Sequence, residues 1–172
     1  FEGCTSISRV GRYEPVKYFF KPLMFIYAIF LYHFWKNFYE FLLKNKINLS
    51  KILMFLAYCS ILFLVLYIIF LGEGKFYRFF RQVGIFVYIF FTVITQLFFS
   101  IKFKKTSRIK MQAKNYLFYY SAAITILGVL LFPLAISEFE IINNFKNIIS
   151  WNYFLLTQLY FIILFYTLKK TK

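Results

Sequence analysis

From Ile52 to Leu71 the chain runs for 20 residues without a charged side chain. At about 1.5 Å per helical residue, that length matches the roughly 30 Å hydrocarbon core of a bilayer. A lone segment in lipid must satisfy its backbone N–H and C=O groups internally, and only a helix does so. Lys51 precedes the run and Gly72-Glu73-Gly74, a tight turn, follows it. The expectation is a transmembrane helix with sharply defined ends.

Four more apolar segments share this character. Spans are expected over 16–41, 83–101, 116–136 and 148–168, in addition to 52–71. The first requires Lys17, Lys21 and Lys36 to extend towards headgroups while their stems stay in the apolar layer. Pro15 or Pro22 fits its opening turn, where a missing N–H costs nothing. Pro133 marks a kink or a stop near the end of the fourth. Lys75 to Gln82 reads as an aromatic and basic interfacial stretch ahead of the third. The predicted fold class is therefore all-α: a polytopic helix bundle forming one transmembrane domain over 1–172, with loops too short for a soluble domain.

Composition excludes the main soluble alternatives. Hydrophobic residues make up 62% and aromatic residues 26% of the 172 positions, against about half apolar in a soluble domain. The formal net charge of +15 would point to nucleic acid in a soluble chain. Here Lys and Arg occupy short connectors between apolar runs, where they set topology and meet lipid headgroups. No nucleic-acid partner is expected. Five spans place 8 basic residues on the N-terminal side and 13 on the other, so the positive-inside rule puts the C-terminal tail in the cytoplasm.

Few side chains carry chemistry. The six glycines form no phosphate-binding loop. Cys4 and Cys59 have no partner at disulfide or metal-ligand spacing, and no metal or cofactor is expected. His33, the only histidine, sits among Tyr32, Phe34 and Trp35 and reads as an aromatic-belt residue, since a catalytic role would need partners from other helices. Gln96 and Gln158 are the candidate intramembrane polar site. An amide inside a span must find a hydrogen-bond partner, by packing helix on helix or by lining a ligand cavity. Thr92 and Thr95 share a helical stripe with Gln96. Glu14, Glu73, Glu138 and Glu140 read as solvated loop residues. Lys104, Lys105, Arg108 and Lys110 form a basic loop suited to anionic headgroups, or to setting topology alone.

The opening loop carries a further pattern. Ile7-Ser8, two residues, Gly11, three residues and Pro15, followed by an aromatic helix entry, resembles the P-x-I-S-x-x-G-x-x-x-P signature of the Frag/DRAM/Sfk family. Ser8 can cap a turn, Gly11 permits positive φ and Pro15 starts a helix. The resemblance implies six spans with this loop after the first, hence one helix before Phe1. It departs from the family at Thr5, where proline is usual, at Arg78 or Arg81, where a histidine is common, and at Gln158, near a family glutamate.

The family includes a Golgi and ER factor for GPI-anchor lipid remodelling, autophagy modulators, and a membrane partner of a lipid kinase. Lys169-Lys170-Thr171-Lys172 is similar to a dilysine retrieval signal of the early secretory pathway. Together these imply lipid handling in the ER or Golgi, with membrane lipids and GPI-anchored proteins as partners. The expected cavity opens to the non-cytoplasmic leaflet under the Ile7 to Pro15 loop. Two other roles fit the residues: an adaptor that recruits a cytoplasmic partner, and an accessory subunit of a larger complex such as a mitochondrial respiratory assembly.

Overall fold

The computed structural model describes residues 14–45, 47, 51–71, 75–105, 111–136 and 143–169. Among these residues the chain is all-α, with helices α1 (Val16–Lys44), α2 (Lys51–Ile69), α3 (Lys75–Lys104), α4 (Met111–Ile136) and α5 (Asn143–Lys169), and no strand. Pro15 opens α1, accepting a hydrogen bond from the Tyr18 N–H at 3.2 Å. Asn45 closes that helix: its backbone N–H and its side-chain amide both reach the Phe41 carbonyl, at 3.2 and 2.8 Å. These bonds occupy terminal groups that the helix cannot satisfy by itself.

Among the described residues four helices are long and apolar enough to cross a membrane: α2, α3, α4 and α5. Their outward positions are apolar too, as Ile52, Phe55, Leu62 and Ile69 show on α2. A helix apolar all round is at home in lipid, where no polar face is needed. Helix α1 stands apart. It has 29 residues, but its charge-free stretch is only Pro22 to Trp35, 14 residues or about 21 Å of helix.

The start of α3 departs furthest from the sequence expectation. The stretch from Lys75 to Gln82 is continuous with the third expected span, giving a single helix of 30 residues, because no Gly or Pro interrupts it before Gly84. Pro133 lies inside α4, which ends at Ile136, the expected limit of the fourth span.

The helices pack as two units, 14–95 and 96–169. In the first, α1 and α2 form an antiparallel hairpin: the connector is short, and Tyr32 stacks on Tyr58 at 5.6 Å well away from it. The inward stripe of α1 is Ala28, Leu31, Trp35, Phe38 and Leu42. On α2 it is Leu53, Ala57, Ser60, Leu64 and Tyr67. Both repeat at alternating steps of three and four, the spacing of one helical face. The start of α3 runs back along α2, with Phe70 stacked on Phe80 at 4.8 Å and Phe63 against Phe91 at 6.2 Å. Gly84 makes this close approach possible, because a Cβ there would lie 3.0 Å from the Tyr67 backbone nitrogen. The Tyr27 and Tyr88 hydroxyls meet at 3.0 Å.

Candidate functional site

In the second unit, α5 is tied to both neighbouring helices by side chains that bond backbone carbonyls. A helical carbonyl keeps a second lone pair after accepting its own N–H, and in lipid a donor from the next helix is its natural partner. Towards α4 the ties are reciprocal. Tyr120 Oη donates to the Leu156 carbonyl at 2.7 Å, and Tyr153 Oη donates to the Ile124 carbonyl at 3.2 Å. Rising numbers on α4 meet falling numbers on α5, so the pair is antiparallel.

The last ten residues or so of α3 meet α5 through a tighter group. Gln96 Nε2 donates to the Thr157 carbonyl at 3.0 Å, and Tyr160 Oη donates to the Gln96 carbonyl at 3.2 Å. Ser100 Oγ lies 3.0 Å from Tyr160 Oη and donates to the Gln96 carbonyl at 2.8 Å. Gln96 is 1% exposed and Tyr160 0%. Gln96 Oε1 has no hydrogen-bond partner among the described residues. It is therefore an open acceptor in an otherwise bonded cluster, and a buried acceptor left open costs about 1–3 kcal/mol. Thr92 and Thr95, earlier on α3, are buried with hydroxyl oxygens in the same condition.

The two glutamines expected from sequence thus converge on one residue. Gln96 bonds the Thr157 carbonyl, and half-buried Gln158 places Nε2 3.5 Å from Thr157 Oγ1. The expected partners were unnamed; the structure supplies Ser100, Thr157 and Tyr160. Ser100 lies four residues after Gln96, a signal that was present in the sequence. Nothing in the sequence marks Thr157 and Tyr160 as the residues facing it.

The other candidates are not gathered here. His33 is exposed on α1, edge-on to Tyr32 at 5.4 Å. Lys104 and Lys105 are exposed where α3 ends, with Lys104 Nζ 4.8 Å from the centre of the Phe118 ring. Pro15 precedes α1 and Lys169 ends α5. Ile7, Ser8, Gly11, Arg108, Lys110 and Lys170 lie outside the described residues, as do Cys4, Glu73, Glu138 and Glu140. Among the described residues no group of His, Cys, Asp or Glu is placed to hold a metal ion. The arrangement bonds and orients; it contains no nucleophile beside a base.

One glycine controls the α4–α5 tie. A Cβ on Gly128 would collide with Tyr153 Oη and lie 3.0 Å from its Cζ. Gly128 is thus the gap through which Tyr153 reaches the Ile124 carbonyl one turn away. Gly128→Ala displaces the hydroxyl, losing a hydrogen bond of about 1 kcal/mol, against a gain of similar size from helix propensity. The two effects separate in a Tyr153→Phe background, where alanine is expected to be stabilising by about 1 kcal/mol while remaining neutral or unfavourable alone. Unfolding by SDS titration from mixed micelles measures all four members of that cycle. Equal effects of the alanine in both backgrounds would mean that Gly128 does not serve Tyr153.

Comparison of the chain with protein-family models, with curated proteins and with solved structures finds no match.

Proposed function

We propose that this chain is a lipid-handling integral membrane protein of the endomembrane system that acts in GPI-anchor lipid remodelling. Four helices suited to a bilayer support the first half of this reading. The observation that carries it furthest is Gln96. Its amide is fixed on the Thr157 carbonyl while Oε1 remains an open acceptor within apolar helices. Intramembrane polar groups of this kind are functional candidates by default, and an acceptor at that depth suits a lipid hydroxyl or amide. The second half draws on the loop pattern Ile7, Ser8, Gly11 and Pro15 and on the lysines at 169 and 170.

In this reading α1 is a fifth span, with Lys17, Lys21 and Lys36 reaching the headgroups. The C-terminal tail is cytoplasmic, where a retrieval signal can be read. Substrate is held or presented at Gln96; the residues name no acyl-transfer step.

The test has two arms. The full-length protein should reside in the ER or Golgi and move outward when Lys169 and Lys170 are changed to Ser. Gln96→Met, close in length and free of the amide, should leave abundance and location unchanged while the lipid composition of GPI anchors shifts. A mitochondrial location indifferent to the tail would overturn the proposal in favour of an accessory subunit. Normal GPI lipid in the Gln96→Met protein would remove Gln96 from it.

A further inference from the structure

Halfway along α1 the outward face changes character. Up to Phe30 its exposed positions are apolar, with Tyr18, Phe19, Leu23, Ile26 and Ile29 among them. From His33 a polar stripe takes over: His33, Lys36, Asn37, Glu40 and Lys44 are all exposed. At about 100° per residue, these five fall within roughly 100° of arc. They lie opposite Trp35, Phe38 and Leu42, which point inward.

Depth gives the stripe its meaning. Tyr32 stacks on Tyr58 across the antiparallel hairpin, so each step outward along α1 is matched by a step back along α2. Lys36 then comes level with Met54, and Phe38 with Ile52, the first residue of the charge-free run. At this level α2 presents apolar side chains outward, with Ile52 and Phe55 each 66% exposed. The hydrocarbon boundary therefore crosses α1 near Phe38, with Lys36 about 3 Å inside it and Glu40 about 3 Å outside. From that depth a lysine stem extends its ammonium to the headgroup layer. Exposed Tyr32 and Tyr58 sit just beneath, where aromatic rings gather at the interface.

Two opposite charges one helical turn apart, with the positive one rooted deeper, match one class of headgroup. A zwitterionic phospholipid carries its phosphate next to the glycerol and its ammonium two carbons further out. We infer that the face of α1 from His33 to Glu40 binds the headgroup of an ethanolamine phospholipid, with Lys36 on the phosphate and Glu40 on the ammonium. An ethanolamine ammonium has N–H groups to donate to a carboxylate, a charge-assisted bond. Choline has none, and a headgroup without an ammonium offers Glu40 nothing. Among the described residues the other glutamate, Glu14, faces Lys17 at 4.0 Å at the far end of α1. The inference goes beyond the general reach of Lys36 to headgroups, because it assigns the chemistry of the headgroup. It rests on the membrane-embedded reading of the chain and not on a remodelling role.

Native mass spectrometry of the purified full-length protein, equilibrated with equal amounts of phosphatidylethanolamine, phosphatidylcholine and phosphatidylglycerol in mixed micelles, tests it. Phosphatidylethanolamine should be retained over both of the others. Glu40→Gln, an exposed and nearly isosteric change, should lower that preference about fivefold, the factor for an exposed ion pair at the upper end of its range. Lys36→Gln should lower retention of phosphatidylethanolamine itself, with helical content checked by circular dichroism. Glu14→Gln, at the other end of α1, should leave the preference unchanged. Retention of phosphatidylglycerol above phosphatidylethanolamine would mean that the lysines attract any negative charge, and would overturn the site. An unaltered preference in Glu40→Gln would overturn it too. Displacement of the lipid by equimolar glycerophosphoethanolamine would overturn the assignment to a lipid. Retention is read on purified protein and remodelling in cells, so failure of one is distinguishable from failure of the other.

Discussion

Gly84→Leu is expected to force α2 and α3 apart and to destabilise the protein by about 2–3 kcal/mol, the upper part of the range for overpacking. A Cβ at this position would already lie 3.0 Å from the Tyr67 nitrogen and 3.1 Å from its Cα and Cβ. These atoms belong to the helix itself, so no side chain can swing aside. Alanine asks only for a shift of a few tenths of an ångström, and its cost should be small. Leucine has no such solution. Between lipid-embedded helices the attraction is close packing, because lipid tails are as apolar as the side chains they replace. Separation therefore forfeits that packing without a compensating drive to reseal. The Phe63–Phe91 contact and the Tyr27–Tyr88 hydroxyl pair should loosen together. SDS titration in mixed micelles, with a thermal melt as a second measure, reads the loss. A leucine variant within about 0.5 kcal/mol of the parent would show that α2 and α3 do not meet at Gly84.

Tyr160→Ala is expected to cost about 2–3 kcal/mol and Tyr160→Phe only about 1 kcal/mol. The ring is fully buried, and truncating a buried aromatic removes roughly 3–5 kcal/mol in a soluble core. Part of that figure is transfer from water, which a site surrounded by lipid lacks, so the remaining cavity term sets the expectation. Phenylalanine fills the space and loses only the bonds to the Gln96 carbonyl and Ser100. Ser100 keeps its own bond to the Gln96 carbonyl, so the phenylalanine variant leaves no new orphaned donor. The ratio of the two losses therefore divides packing from hydrogen bonding at the α3–α5 contact. Equal losses would mean that the hydroxyl, not the ring, holds α5 in place.

Much of the fold was legible because charge interrupts apolar sequence at the same places where helices end. The uninterrupted run from Ile52 produced α2 almost to the residue. Where the interface is basic yet free of Gly and Pro, as from Lys75 to Gln82, the sequence showed a change of environment. Backbone propensity carried the helix straight through it. Helix α1 shows the opposite case: Lys21 and Lys36 leave too short a clean stretch for length and composition to mark it as a span.

The candidate site was half legible. An amide at Gln96 inside an apolar run announces a buried hydrogen bond, since lipid offers no partner, and a serine four residues later was in plain view. Which helix would answer was not written there. Leu53, Ala57, Ser60 and Leu64 face inward on α2 while Ile52, Phe55 and Leu62 face outward, yet both sets are apolar. In water that contrast would separate core from surface; in lipid both faces are acceptable. The sequence by itself determined the helices, their limits and the presence of polar groups that must be satisfied, because these follow from local hydrogen bonding and from transfer between water and lipid. Only the tertiary structure decided that Thr157 and Tyr160 answer Gln96, that Tyr153 passes over Gly128, and that Lys104 rests over Phe118. Those choices depend on shape fitting between helices whose faces are chemically alike.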